Sequence, residues 1–529
     1  MTPLPEGFGL VLDRSVRTFR NGTVLVGGHP GRLVTLTAEG VAALSALLAG
    51  EPATAGSRRL GRRLVDAGMA HPWSTTAPPS GPATPDRGTG GATPDGGIGP
   101  ATPDRGTGGA TPDRGTGLTV VVPVHNATSS LDRCLDSLGP ELAVVVVDDA
   151  SDDPDAVDRV CRRHGSRLIR RTTNGGPAAA RNQALEVVGT DLVAFVDSDC
   201  RVTEGWLGRL VWMFDDPDLG AVAPRVRPDR TGGNAARRVL TRFADAHSAL
   251  DMGAVPSEVG PGKAVRYVPT AALLARREAL ATGFDPALRV GEDVDLVWRL
   301  VDRGWHVRYE PSATVFHEEP STWRRTLARR FRYGTSAGPL SKRHPGRLSP
   351  VELRPWPTAA AVASLTGRPR TAAVVVVASA ALLARRVRHH GVPLPLTVRW
   401  SAEATAWTVV GVGRAATMLA APVVVVALLR GSRAAAVLVL APAVVEWWRR
   451  RPGLDPIRWV LASIADDVVY GAGVWAGCLR WRSFGPLVPT VPLRSRTRAP
   501  SPREDPDPTR RPSPVVGTDL MTFEDGESG

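Results

Sequence analysis

Cysteine is scarce in this chain of 529 residues: there are four, and no two of them have C-x-x-C spacing. This scarcity argues against a structural zinc site and a disulfide framework, and it indicates a reducing compartment. Residues 1–30 also lack a basic segment followed by an apolar one, so no signal peptide is predicted. We therefore expect the protein in the cytoplasm or at the cytoplasmic face of the cell membrane.

Lysine is rare beside arginine, aromatic residues make up only 5% of the chain, and the formal net charge is +13. A basic surface suits nucleic acid, anionic lipid or a sugar nucleotide. The basic residues are not interleaved with aromatic ones as they are in RNA-binding segments, so we expect no nucleic-acid partner. The net charge alone does not distinguish anionic lipid from a sugar nucleotide as the partner.

No apolar run is long enough to cross a bilayer by itself. Thr371–Ala384, Ala415–Leu429 and Ala434–Val445 are strongly apolar, but each has about 12–15 residues against the roughly 20 that a spanning helix needs. Arginines flank these segments, and Trp447-Trp448 before three arginines is typical of an anchor at a membrane surface. The sequence leaves two alternatives open: membrane contact through tilted or re-entrant helices, and a buried helical subdomain.

Composition divides the chain into five parts. We predict a small α/β module at 1–73, a linker at 74–117, a catalytic domain at 118–345, an apolar helical region at 346–485 and a tail at 486–529. In the linker, Ala-Thr-Pro-Asp recurs every nine residues from Ala83. The linker and the Pro-, Arg- and Asp-rich tail have too few apolar residues to offset the entropy of ordering, so both are predicted to be disordered.

Apolar strands alternate with helical patterns after the linker. Strands are predicted at Leu118–Val124, Ala143–Val147, Arg167–Arg171, Leu192–Val196 and Ala221–Val226. Helices are predicted between them near Ser130–Leu138, Asp155–Arg163, Pro177–Val188 and Trp206–Phe214. Continuous apolar strands separated by helices indicate a parallel-dominated sheet covered on both faces, so the fold class is α/β.

The most informative stretch is Val196-Asp197-Ser198-Asp199, at the end of a predicted strand. The ends of strands in open α/β sheets are where ligands bind. Carboxylates two residues apart can hold a hard divalent cation, and that cation can hold a diphosphate. A D-x-D triplet alone is equally an acidic turn, so its interpretation depends on the neighbouring motifs.

A second acidic cluster, Gly291–Asp295, lies about ninety residues further along. A carboxylate in the first turn of a helix is rigid, partly desolvated and close to the helix dipole, which suits a general base. Asp293 is the predicted base and Glu292 the alternative. Asp295 can pair along the helix with Arg299, and a capped structural helix is the other reading of the motif.

Together with Pro123–Asn126 at the end of the first strand and Asp148-Asp149 at the end of the second, these clusters resemble those of the family 2 glycosyltransferases. The resemblance covers residues 118–335. It implies a GT-A fold, transfer with inversion from a UDP- or GDP-sugar, a Mn²⁺ or Mg²⁺ cofactor, and Asp293 as the base. Tyr333 stands where processive synthases have Trp, which argues against processive polymerisation.

The resemblance also implies the residues of the donor and metal sites. The donor-binding residues would be Pro123, His125, Asn126, Asp148, Asp149, Gly176, Arg181, Asp197 and Arg332. The metal ligands would be Asp197, directly or through water, Asp199 and His317. Either of the two acids after the second strand would accept a hydrogen bond from uracil. Arg181 would meet a phosphate or brace Asp197, and His317 could equally be structural.

The N-terminal module and the apolar C-terminal helices extend the resemblance. Leu25–Pro30 (Leu-Val-Gly-Gly-His-Pro) and those helices resemble the glycosyltransferases of the mycofactocin pathway. This implies β-glucosylation of a small peptide-derived redox cofactor precursor by UDP-glucose. The module itself, with strands followed by two helices, resembles PqqD-like peptide-binding modules, and a plain structural cap is the alternative.

Two other functions remain open at this point. The first is a membrane-bound transferase acting on a lipid-linked acceptor, polyprenyl phosphate, or on cell-wall polysaccharide. The second is a non-catalytic sugar- or peptide-binding module. The presence of Asp197, Asp199 and Asp293 together argues against the second.

Overall fold

The computed structural model describes residues 2–74, 117–229, 238–492 and the short segment 517–519. The predicted linker lies outside the described residues except at its two ends. Most of the predicted tail also lies outside them. In the following, strands β1–β15 and helices α1–α16 are numbered along the chain.

The N-terminal module holds five short strands and two helices. These are β1 (Phe8–Leu12), β2 (Arg17–Phe19), β3 (Val24–Gly27), β4 (Arg32–Thr35), α1 (Ala38–Ala49), α2 (Ala55–Asp66) and β5 (Ala70–Ser74). β1 pairs with β5, and β2, β3 and β4 form a separate antiparallel sheet. Each helix starts at a threonine, Thr37 or Thr54, whose hydroxyl accepts a backbone hydrogen bond three residues on. Strands followed by two helices agree with the prediction for this module; the strand β5 after the helices was not predicted.

The central sheet has nine strands among the described residues. They are β6 (Leu118–Val124), β7 (Ala143–Asp148), β8 (Arg167–Arg170), β9 (Leu192–Val196), β10 (Cys200–Val202), β11 (Leu219–Pro228), β12 (Ser257–Glu258), β13 (Ala272–Arg276) and β14 (His306–His317). Their order is β10-β14-β11-β13-β9-β6-β7-β8, and β12 also pairs with β14. The run β9-β6-β7-β8 is parallel, as predicted. β13 is antiparallel to both of its neighbours, which makes the sheet mixed.

Helices cover both faces of this sheet. They are α3 (Thr128–Leu138), α4 (Pro154–Arg163), α5 (Pro177–Val187), α6 (Gly208–Val211), α7 (Arg238–His247), α8 (Glu292–Asp302), α9 (Trp323–Thr335) and α10 (Ala337–Arg343). β6 is buried over all seven residues; Val120 and Val122 pack into the core under α3 and α4, and Val121 packs into the core under α5 and α8. This alternation confirms a sheet covered on both sides. The four cysteines are buried and unpaired.

Six helices follow the catalytic domain. They are α11 (Pro355–Leu365), α12 (Pro369–Val387), α13 (Leu394–Leu419), α14 (Ala421–Leu429), α15 (Arg433–Arg450) and α16 (Pro456–Trp481). In the described part of the chain, no one helix has both the length and the apolar character to cross a membrane. The pair α13 and α14 meets that test jointly, with a bend of 104° between the two helices.

Two described parts of the predicted tail are paired with the rest of the chain. Thr490 bridges Glu352, and β15 (Gly517–Asp519) pairs with β4. These contacts differ from the prediction of an unpaired tail at those residues.

Glycines bring α16 into backbone contact with α9 and α10. A Cβ atom at Gly473 would overlap the carbonyl oxygen of Phe331, and one at Gly334 would overlap the carbonyl oxygen of Tyr470. Side chains at these positions would push the two helices apart. The C-terminal region is therefore fixed directly on the catalytic domain.

Gly473→Ala is expected to lower the free energy of unfolding by about 3 kcal/mol, the upper end of the usual range for overpacking. The added methyl group meets backbone atoms, which cannot rotate away as a side chain can. Gly208→Ala in α6 is the matched control, because a Cβ atom there meets nothing within 4 Å. Chemical denaturation of both variants measures the difference, and equal effects would contradict this account of the contact.

Candidate active site

The two acidic clusters predicted from the sequence face one cavity of about 1270 Å³. Asp197 and Asp199 reach it from the end of β9, and Asp293 reaches it from the first turn of α8. Arg181 of α5 joins the clusters: its guanidinium lies 2.6 Å from the Asp197 carboxylate and 3.0 Å from the Glu292 carboxylate. Only 2% of the Arg181 side chain is exposed, so this bridge is fixed inside the protein.

A tight turn after β9 presents the D-x-D acids. The amide of Cys200 donates to the carbonyl of Asp197 at 2.9 Å, and β10 then pairs with the end of β14, where Cys200 lies opposite His317. This register places His317 Nε2 at 3.4 Å from Asp199 Oδ2. Burial alone would raise the pKa of Asp199, but the charge and hydrogen bond of His317 outweigh it and lower that pKa.

Two of the three predicted metal ligands, Asp199 and His317, are placed close enough together to bind a divalent cation. Carboxylate oxygen and imidazole nitrogen are both ligands for divalent metals, and the structure brings Asp199 and His317 together. His317 Nδ1 is buried and has no hydrogen-bond partner among the described residues. Asp197 is turned toward Arg181, so the three predicted ligands do not converge as closely as the sequence suggested.

The start of α8 separates the two candidates for the base. Gly291 has φ +85°, and a Cβ atom there would lie 2.9 Å from Ser336 Cβ, so glycine is required at the entry to the helix. Glu292 is bound to Arg181. Among the described residues, the hydrogen bond recorded for the Asp293 carboxylate is the one that Oδ1 accepts from the amide of Val294, which leaves Oδ2 for another partner. Burial, together with the charge of Glu292, raises the pKa of Asp293 to about 7.

Asp295 has a structural role in the same helix. Its carboxylate accepts hydrogen bonds from Arg299 at 2.7 Å, the pairing predicted along the helix, and from His344 at 2.9 Å. It is almost fully buried and ties α8 to α10. It therefore does not compete with Asp293 for a substrate proton.

The acids after β7 hold loops in place. Asp148 is fully buried and accepts from the Ser151 amide and from Arg170. Asp149 accepts from Arg171 and, at 2.6 Å, from the Gly176 amide just before α5. Recognition of uracil by either carboxylate stays a prediction.

Part of the predicted donor site lies outside the cavity wall. Of the predicted site residues, the wall includes Arg181, Asp197, Asp199, Asp293, His317 and Arg332, and it does not include Pro123, His125, Asn126, Asp148, Asp149 or Gly176. Pro123 lies in β6, opposite Val147, as the predicted strand Leu118–Val124 has it, and it is buried there; its contact with a donor stays a prediction. His125 and Asn126 are exposed in that loop, and the Nδ1 atom of His125 is 2.9 Å from the carbonyl of Asp149.

Several residues of the cavity were not predicted. Glu319 forms an ion pair with Arg329 and lies 3.8 Å from His317 Nδ1. Arg289 is hydrogen-bonded to Asn174 beside the glycine-rich loop. The position of Glu319, two residues after the end of a strand, could have indicated a place at the site. No sequence pattern could have indicated Arg289, because its partner Asn174 is distant in the chain.

The C-terminal helices complete the wall of the cavity. Three of the chain's four tyrosines line it: Tyr267, Tyr333 and Tyr470. Tyr470 belongs to α16 and stacks under Arg330 at 4.9 Å, and Arg330 is held by Asp466 at 2.7 Å. The cavity therefore has a polar part with the acids and an aromatic part, to which Tyr470 is contributed from beyond the predicted catalytic domain.

A second cluster of potential ligands lies between the N-terminal module and the catalytic domain. Oxygen and nitrogen atoms of Asp66, Glu258 and His306 lie within 4.8 Å of one another. Lys263 pairs with the Glu258 carboxylate and donates to the backbone carbonyl of Asp66 at 2.5 Å, so an ammonium group already offsets part of the negative charge of the cluster. We interpret this cluster as an ion-pair contact that fixes the module on the catalytic domain.

The fold and the cavity together are those of a glycosyltransferase, and the comparisons with known proteins agree. The family model for glycosyl transferase family 2 matches residues 119–277, and the chain belongs to this family. Along most of its length the chain is similar to the pre-mycofactocin glycosyltransferase of Mycobacterium tuberculosis strain H37Rv. The two are 34% identical over 514 residues, which cover 93% of this chain and 99% of that protein. The protein is therefore a glycosyltransferase with a GT-A fold.

Other similarities are more limited. The N-acetylglucosaminyltransferase of Rhizobium meliloti is 30% identical over 238 residues, which cover 41% of this chain and 54% of that protein. Among solved structures, the mannosyltransferase PcManGT from Pyrobaculum calidifontis, in complex with GDP-Man and Mn²⁺, is 22% identical. That alignment covers 57% of this chain and 91% of the other, with a TM-score of 0.34, which is too low to carry an argument.

Proposed function

We propose that the protein transfers a hexose, glucose in the first instance, from a UDP-sugar to an acceptor hydroxyl with inversion. The observation that carries this proposal is the Arg181 bridge, which holds the D-x-D acids and the helix with Asp293 at one cavity. The similarity to a pre-mycofactocin glycosyltransferase supports a pre-mycofactocin-like acceptor. Glucose as the sugar and the peptide-derived nature of the acceptor rest on the resemblance described from the sequence.

In this proposal Asp199 and His317, with Asp197 directly or through water, would hold Mn²⁺ or Mg²⁺. Such an ion, when bound, offsets the negative charge of a nucleoside diphosphate leaving group. Arg332 is exposed on the cavity wall and supplies a further cation for that diphosphate. Arg181 keeps the Asp197 carboxylate in place beside it.

Asp293 would take the proton from the acceptor hydroxyl. Its Oδ2 atom is free for this purpose, because Oδ1 accepts the Val294 amide. A base with a pKa near the working pH is both largely ionised and able to accept a proton. The aromatic part of the wall, with Tyr267 and Tyr470, would hold the body of the acceptor.

The proposal is tested by incubating the purified full-length protein with a panel of UDP- and GDP-sugars and measuring release of the free nucleotide, with and without Mn²⁺. We expect the fastest release with UDP-glucose plus a peptide-derived acceptor that carries a hydroxyl. Radiolabel from the donor that moves into an organic phase would instead favour a lipid-linked acceptor. Absence of release with every donor would contradict transferase activity of this cavity.

Asp199→Ala is expected to weaken donor binding in the presence of Mn²⁺ by at least about tenfold, the loss expected when a carboxylate ligand is removed. Donor binding by the variant should no longer respond to Mn²⁺, because His317 and an Asp197 carboxylate that is already bound to Arg181 are a poor site for the ion. Titration calorimetry with UDP-glucose measures this. Asp302→Ala at the far end of α8 is the control, and equal Mn²⁺ dependence in all three proteins would contradict the metal assignment.

The pH dependence of transfer follows from the raised pKa of Asp293. Below about pH 7 the carboxyl group is protonated in the free enzyme and cannot accept a proton, so kcat/KM should fall tenfold for each further pH unit. Above that pH the carboxylate is ionised and kcat/KM should level off. Steady-state kinetics across this range measures the profile. A profile that stays flat down to about pH 5, with donor binding unchanged, would contradict the assignment.

A further inference from the structure

The C-terminal helical region, residues 355–491, carries most of the protein's exposed apolar surface. Of the twenty-nine large apolar side chains that are exposed in the described chain, twenty-four lie between residues 356 and 491. Leu429 is 83% exposed and Ile457 is 71% exposed. A concentration of exposed large apolar side chains in one region is unusual for a protein surrounded by water and indicates interaction with a protein or a membrane.

Charged groups lie in the interior of the same region. Asp466 is 1% exposed and pairs with Arg330 at 2.7 Å and with His247 at 3.5 Å. Asp467, next to it, pairs with Arg414 at 3.1 Å. In this region charged side chains are buried and large apolar side chains are exposed. A protein surrounded by water usually has the opposite arrangement.

Small residues make the contacts between these helices. A Cβ atom at Gly413 of α13 would overlap the carbonyl oxygen of Leu438 in α15, and one at Gly471 of α16 would overlap that of Met418. The buried residues of α12 are two alanines and a valine, whereas its exposed residues include Val374. Close packing through small residues is how helices associate when lipid covers their outer faces.

Exposed arginines lie at the ends of these helices. They include Arg385, Arg430, Arg433, Arg449, Arg451 and Arg480. The guanidinium of Arg451 stacks on Trp448 at 5.4 Å, and Trp448 is itself 62% exposed. Tryptophan with arginine at the rim of an apolar surface suits the headgroup layer of an anionic bilayer.

We propose that the outer faces of α12–α16 dock on an anionic phospholipid bilayer and enter one leaflet of it. None of the nine residues of α14 is buried, and the bend of 104° between α13 and α14 means that the two helices do not form one straight spanning helix. The apolar faces supply the favourable burial, and the arginines supply attraction to anionic headgroups. This surface would place the enzyme at the cytoplasmic face of the cell membrane.

Flotation of the full-length protein with vesicles tests the proposal. We expect more protein to float with vesicles that contain phosphatidylglycerol than with vesicles of phosphatidylcholine alone. At high salt the bound fraction should be the same for both kinds of vesicle, because salt screens the attraction to anionic headgroups. Val423→Asp with Leu429→Asp in α14 should weaken vesicle binding at least tenfold. Arg449→Gln with Arg451→Gln should remove the preference for phosphatidylglycerol.

Val11→Asp is the matched control, because Val11 is 53% exposed but lies in β1 of the N-terminal module. Nucleotide release from a water-soluble donor shows that each variant is folded, and it does not depend on vesicles. Failure to float with either vesicle, or equal weakening by Val11→Asp, would overturn the proposal. A lipid-free dimer that Leu429→Asp converts to a monomer would also overturn it, since a second copy would then cover this face.

Discussion

Asp293→Asn is expected to reduce sugar transfer by about 10³- to 10⁴-fold, the upper part of the range for loss of a general base. The amide has the same shape but cannot accept a proton from the acceptor. The neighbouring acids cannot replace it, because Glu292 is bound to Arg181 and Asp295 is bound to Arg299 and His344. Binding of the UDP-sugar should be unchanged. Turnover and donor calorimetry on the same preparation measure the two effects separately.

Glu292→Gln is the informative companion to that variant. Its amide oxygen can still accept from Arg181, so we expect a loss of transfer well below that of Asp293→Asn. If Asp293→Asn turned over normally while Glu292→Gln were inactive, the base would be Glu292. Asp302→Asn, on the exposed end of the same helix, controls for a general effect of removing negative charge.

The parts of the fold that were predicted are those that local sequence determines. β6 and β9 are continuous apolar runs with turn residues on both sides, and their observed bounds agree with the predicted ones. β13 was not predicted, because Ala-Leu-Leu-Ala-Arg suits a helix as well as a strand. It is a strand because it pairs with β9 and β11 on its two sides, which is a tertiary contact.

The same limit applies to α16. Its apolar pattern is interrupted by Asp466 and Asp467, so a search for apolar runs passes over it. The structure shows both acids paired, one of them with Arg330 at a separation of 136 residues. A sequence pattern cannot reveal a partner that far along the chain, and so the contribution of α16 to the cavity was not foreseen.

For the site, the sequence indicated which acids would meet but not which of them would be free. Asp197, Asp199 and Asp293 do face one cavity. The spacing of Glu292 and Asp293 is equally suited to either as the base, and only the contact between Glu292 and Arg181 separates them. Asp148 and Asp149 likewise look like exposed turn acids in the sequence, whereas both are buried under loop amides and arginines.

Arg181→Met is expected to lower the free energy of unfolding by about 3–5 kcal/mol, the usual cost of removing one partner from a buried ion pair. Methionine keeps much of the side-chain length but leaves the carboxylates of Asp197 and Glu292 without their counter-charge. Donor turnover should also be lost, because Asp197 is no longer held. Arg181→Lys should be intermediate, since an ammonium group cannot keep both contacts in the geometry of a guanidinium. Chemical denaturation measures the stability of each variant.

The pH dependence of the stability loss in Arg181→Met distinguishes the loss of a counter-charge from the loss of side-chain packing. Burial already raises the pKa of Asp197, and without Arg181 it must rise further because the guanidinium no longer opposes that effect; the buried carboxylate of Glu292 loses its counter-charge as well. The destabilisation should then be largest near neutral pH and should shrink toward about pH 4, where both carboxyl groups are increasingly protonated in the unfolded chain as well. A loss caused only by missing side-chain contacts would not change with pH. Arg399→Met, which breaks an exposed pair with Glu403, should cost no more than about 0.5 kcal/mol at any pH, and equal stability of the two variants would contradict the role given to the Arg181 bridge.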